Sequence, residues 1–150
     1  MYVFYLHVCI HYFLQQANIP PAPDVIAAAI VADVHNQNAL MEAALMRLGF
    51  SLLAAREFTG NGISNLNRLR TLTEEALDRL IKQIHWDNQG AGLFIPFASQ
   101  QHVHAIRFWA NRMHIIGSPF SIEDINEPLA EMWGESMKIE ERLLQPRQTL

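Results

Sequence analysis

The chain has 150 residues, half of them apolar and 17% charged, with a formal net charge of −4. That length suits one domain with a core of its own, and the apolar share is too high for wholesale disorder. A single cysteine, Cys9, excludes an intrachain disulfide and any zinc site built on two thiolates. The composition reads as a soluble domain of a reducing, intracellular compartment, cytoplasm or nucleus.

Charge is unevenly spread. Residues 1–46 hold three acids and no Lys or Arg, residues 47–114 eight bases against five acids, and residues 115–150 three bases against seven acids. A mildly basic middle between acidic flanks hints at an anionic partner. It falls short of the footprint of a dedicated nucleic-acid binder.

Residues 2–14 form an apolar run in which Tyr2, Phe4, Leu6, Val8, Ile10, Tyr12 and Leu14 alternate as in a strand. The run is too short to span a bilayer as a helix and lacks the positive start of a secretory signal. On a helix His7 and His11 would share a face, as two metal ligands can, but no HExxH pattern or nearby carboxylate accompanies them. The segment is read either as a packed N-terminal element or, preferably, as sequence appended upstream by a wrong start. Pro20, Pro21 and Pro23 form a stiff linker. The expected organisation is therefore an extension and linker over 1–23, a helical domain over 24–145 and a tail over 146–150.

From Asp24 the punctuation is helical. Asp24 caps an Ala-rich helix, Val25 to Val34, that fades into His35-Asn36-Gln37-Asn38. Asn38 opens a second helix, stopped at Gly49, with Leu45 and Phe50 placed for the contact of a glycine C-cap. Ser51 caps a short helix carrying Ala54, Ala55 and Phe58, which ends in Gly60-Asn61-Gly62. Ser64 caps a single turn with Leu66 and Leu69. Thr73 caps a longer helix whose Leu77, Leu80, Ile81 and Ile84 make one apolar face, while Glu75–Arg79 and Asp78–Lys82 pair at i, i+4. Asn88 to Gly92 is a loop. Ser99 caps a helix running to Gly117 that is apolar nearly all round, which marks either the centre of a core or a side facing a partner chain. After Pro119, Ser121 caps a last helical region containing Pro128, in which Leu129, Met132, Trp133, Leu143 and Leu144 recur at helical spacing.

Catalytic and cofactor signatures are missing from this pattern. Lys82 and Lys138 follow no glycines, so there is no P-loop; Gly90-Ala91-Gly92 lacks a third glycine; no GxSxG elbow is present. His102 and His104 lie at i, i+2 and diverge on a helix, and His85 suits a helix C-terminus. Neither a metal nor a cofactor is expected. The basic candidates are Arg68, Arg70, Arg107 and Arg112. The last two flank Phe108-Trp109, either as a base-stacking, phosphate-holding group or as arginines snorkelling from a buried aromatic pair.

Leu48-Gly49-Phe50, Phe58, Asn61-Gly62-Ile63, Leu66, Leu69, Leu72-Thr73-Glu74-Glu75 and Leu77 together resemble a sterile alpha motif (SAM) module over residues 38–86. In that family a helix ends at a Leu-Gly-hydrophobic corner, a glycine turn leads into spaced leucines, and a longer helix closes the bundle. The usual Leu-Gly-Ile corner before that helix is replaced here by Leu80-Ile81-Lys82. The longer stretch 38–135, including Ala105-Ile106-Arg107-Phe108-Trp109-Ala110-Asn111-Arg112, is similar to gag-like N-terminal regions of diatom copia-type retrotransposons. That resemblance implies a self-associating structural protein that packages element RNA. The Cys-His zinc knuckle of many gag proteins is missing, as are protease and polymerase motifs.

The expectation is an all-α fold, a compact bundle of short helices with a SAM-like core followed by two longer helices, acting without catalysis as an interaction module. Its partner would be another copy or another helical protein, met through Phe108, Trp109, Leu129 and Trp133, with the opposite local charges steering head-to-tail contact. The alternative is a small nucleic-acid-binding domain, RNA being the ligand, using Arg68, Arg70, Arg107 and Arg112.

Overall fold

The computed structural model describes residues 22–87 and 93–146. Among them the fold is all-α: six helices and a 3-10 turn, with no strand. In chain order these are α1 (Pro23–Arg47), α2 (Leu52–Gly60), α3 (Leu66–Thr71), α4 (Glu74–Asp87), α5 (Phe97–Ile116), the 3-10 turn (Ile122–Asp124) and α6 (Glu127–Leu144). The apolar run at 2–14, with His7, Cys9 and His11, lies outside the described residues, as does the loop at 88–92.

Two units divide the chain, residues 1–37 and 38–150. In the first, the described residues are the opening turns of α1. There Val25, Ile26, Ile30, Val31 and Val34 are all exposed, and Gln37 Nε2 donates to Asp33 Oδ2 at 3.1 Å. The expected break at His35–Asn38 does not occur, because one helix runs through it. Those four residues are polar but include neither Gly nor Pro, and only such breakers reliably end a helix in mid-sequence.

The second unit is punctuated by caps. At the end of α1 the Phe50 N–H donates to Leu45 O (3.1 Å) and the Gly49 N–H to Met46 O (3.0 Å), with Gly49 at φ +91°. This is a Schellman cap, and its geometry requires glycine. Ser51 accepts from the Ala54 N–H and Thr73 from the Ala76 N–H, as expected. Asn65, not Ser64, caps α3, accepting from the Arg68 N–H at 2.9 Å. Both residue types cap well, and the chain entering from Gly62 and Ile63 decides which one stands at the helix start. Ser99 does not cap α5, which begins two residues earlier behind Pro96, with the Gln100 N–H donating to Pro96 O. Ser99 is instead buried beside Gly49, where an added Cβ would come within 2.5 Å of its Oγ. Gly117 closes α5 with a second Schellman pair, Ser118 N–H to Met113 O and Gly117 N–H to His114 O. The last helical region is split: Ser121 and Asp124 form a capping box on the 3-10 turn, and Asn126 caps α6 separately.

Met41 and Leu45 of α1, Leu48 just past its end, Phe58 of α2, Leu69 of α3, Leu77 and Ile81 of α4, and Val103 and Ile106 of α5 are almost wholly buried. Each such side chain stabilises the fold by about 1.5–3 kcal/mol on the transfer scale. Helix α5 is central, packing on α3, α4 and α6. Polar side chains tie the helices at their ends. Arg47 donates through Nε to Ile125 O (2.7 Å) and through Nη2 to Ile122 O (2.8 Å), fastening the end of α1 to the 3-10 turn. The Ile95 N–H donates to His85 Nδ1 at 3.1 Å, which places the ring proton of neutral His85 on Nε2.

Candidate association surface

The four side chains expected to meet a partner are placed within the chain. Trp109 is 5% exposed and meets Phe120 edge-on at 5.8 Å, so it is core rather than surface. Phe108 packs on Trp133 with ring centroids 6.0 Å apart, and Leu129 and Trp133 are half-buried against the core. Together they join α5 to α6. The reason lies in the small residues between them: Ala130 is fully buried, and Gly134 faces Ala105, whose Cβ would stand at ordinary contact distance, 3.7 Å, from a Cβ at Gly134. Small side chains let two helices approach closely, and the aromatic pair fills the remaining groove.

The arginines follow the same logic. Arg107 Nε donates to Leu72 O at 2.5 Å and so ties α5 to the end of α3. Arg112 pairs with Glu140 on α6, while its Cζ lies 5.7 Å from the Phe108 ring centroid. Both are half-buried, which matches the snorkelling alternative better than a free phosphate clamp. Arg68 and Arg70 stand on α3. Arg68 is exposed, and Arg70 Nε donates to Asn67 Oδ1 at 3.0 Å. The structure therefore does not bring the four together as a set aimed at one ligand.

His104 is a titratable group set apart by its surroundings. It is buried on α5, with Nε2 3.9 Å from Asp78 Oδ1. Burial holds its pKa below the ordinary imidazole value of 6.5, against the pull of Glu74 and Asp78 and with the push of Arg107 and Lys82. His102 Nδ1, two residues away, is buried with no hydrogen-bond partner. Among the described residues no group of three or more His, Cys, Asp or Glu side chains is placed to hold a metal ion.

The apolar side chains left open on the second unit include Phe94 and Phe97, 67% and 73% exposed, and a larger set of aliphatics. On α6, Met132, Ile139, Leu143 and Leu144 are exposed, as are Ile115 and Ile116 at the end of α5. Met132, Ile139 and Leu143 share a row with half-exposed Ser136, turned roughly 155° round α6 from Ala130, Gly134 and Met137 at about 100° per residue. Sequence periodicity already marks α6 as apolar. Only the small pair Ala130 and Gly134 signals which side goes inward, and that leaves the Met132–Leu143 row outside.

No family model, no curated protein and no solved structure matches the chain. No helix among the described residues is long and apolar enough to cross a membrane.

Proposed function

We propose that the chain is a non-enzymatic helical interaction module that acts by self-association, a gag-like structural protein of an intracellular retroelement. One observation carries this reading: large aliphatic side chains stand exposed in rows on two helices, Ile30 and Val31 of α1 at 58% and 69% and Leu143 of α6 at 79%. Single exposed aliphatics are ordinary, but grouped ones mark a surface that meets another molecule. The gag-like and SAM-like assignments rest on the sequence pattern alone. The test is light-scattering mass of the full chain across a concentration series. Mass that climbs with concentration supports the reading, and a constant monomer contradicts it.

RNA binding is the second reading, supported by exposed Arg68 on α3, with half-buried Arg70 two residues further on. It requires binding that weakens steeply with salt and that drops on the double change Arg68→Gln, Arg70→Gln. Binding that neither salt nor the double change alters would remove it.

A further inference from the structure

We infer that the partner on α6 is α6 of a second copy, lying antiparallel across a two-fold axis near Met137 and Lys138. The inference rests on the self-association reading and gives it a surface. Its basis is the spacing of the exposed row. Met132, Ser136, Ile139 and Leu143 are separated by four, three and four residues, the alternation of a two-helix seam. Met132 and Ile139 are 57% and 55% exposed and Leu143 79%, so the described residues of the second unit leave that seam open.

Side-chain size and charge select a second copy and set its direction. In the antiparallel pairing Met132 meets Leu143 of the second copy and Ser136 meets Ile139, so that small faces large in the middle layers. The outer flank of the seam is formed by Glu135 and Arg142, seven residues apart. An antiparallel two-fold places Glu135 of each copy beside Arg142 of the other, giving two opposite-charge contacts from one symmetric surface. A parallel pairing would instead set Glu135 against Glu140 of the second copy, two carboxylates together. The existing Glu135–Lys138 pair, 3.0 Å apart, is no obstacle, since its side chains are 70% and 55% exposed and such pairs exchange readily. On the inner flank Trp133 and Glu140 are held by Phe108 and Arg112, which fixes the angle at which α6 presents its row. With the stems of the flanking charged residues, the paired surface is on the order of 1,000 Å², the low end for a specific interface. The association is accordingly weak and concentration-dependent.

Sedimentation equilibrium of the full chain and its variants tests this. Ile139→Asp is expected to raise the dimer dissociation constant more than about tenfold by placing a carboxylate in the seam. Glu135→Arg raises it roughly three- to tenfold at low salt, by setting two arginines together. Adding Arg142→Glu to that variant restores the native value, a rescue that a merely structural role for either residue would not give. Leu143→Asp, at a still more exposed position, repeats the first test should Ile139→Asp melt early. If the native chain associates while Ile139→Asp, Leu143→Asp and Glu135→Arg all leave its constant unchanged, the α6 seam is wrong and self-association stands. Tighter association of Glu135→Arg would overturn the antiparallel direction in favour of the parallel one. A native chain that stays monomeric overturns both the seam and the reading beneath it.

Discussion

Trp109 and His104 lie five residues apart on α5, and both are buried, but burial acts on them in opposite ways. For Trp109 it is a gain: the indole meets Phe120 edge-on inside the core, and Trp109→Ala should cost about 3–5 kcal/mol, read as a fall in the urea midpoint. A loss below about 1 kcal/mol would mean that the ring is not core. For His104 burial penalises the charged form, so the folded chain holds its pKa below the 6.5 of the unfolded one. The unfolded state then binds more protons between the two values, and stability rises with pH across that window. Its contribution is complete above pH 6.5 and is lost progressively as the pH falls below it. Urea midpoints at pH 5.5 and 7.5 should therefore differ, and His104→Gln should shrink that difference; an unaltered difference in the variant would contradict the assignment. The aromatic pattern around Trp109 was visible in the sequence. Whether it faced inward or outward was not, because spacing identifies a face and leaves its neighbour unspecified.

At the scale of the element, the legible features are the ones set by local backbone chemistry. The Gly49 corner, the Ser51 and Thr73 caps and the apolar face of α4 all follow from a few neighbouring residues. The features that were misjudged are decided at longer range or by the absence of a breaker. Helix α1 continues through His35–Asn38 because nothing there stops it, and Asn65 displaces Ser64 because two good caps stand side by side. Ser99 has a capping side chain but is needed small beside Gly49, a contact between residues fifty apart in sequence. The two Schellman glycines offer a comparison that separates local from distant causes. Both have positive φ, and a Cβ at Gly117 meets nothing within 4 Å, whereas one at Gly49 meets Ser99. Gly117→Ala should cost about 1–2 kcal/mol for its backbone alone, and Gly49→Ala measurably more. Equal losses in thermal or urea unfolding would show that the Ser99 contact carries no weight.

For the whole molecule, the same packing that builds the core leaves open the surface proposed for association. Ala130 and Gly134 bring α6 close to α5, Arg112 and Glu140 hold the flank, and the Met132–Leu143 row is left facing away. The sequence was explicit about an all-α chain with apolar terminal helices and silent about which of their sides would be covered. It also could not assign the arginines, since Arg47 and Arg107 find their carbonyl partners 78 and 35 residues away. These are contacts that only the folded chain creates. The central claim is that this chain meets copies of itself, and the weight-average mass of the full chain as its concentration is raised tests it most directly. A smooth rise from monomer towards dimer or beyond is the predicted result. A monomer mass held across the whole series would contradict it.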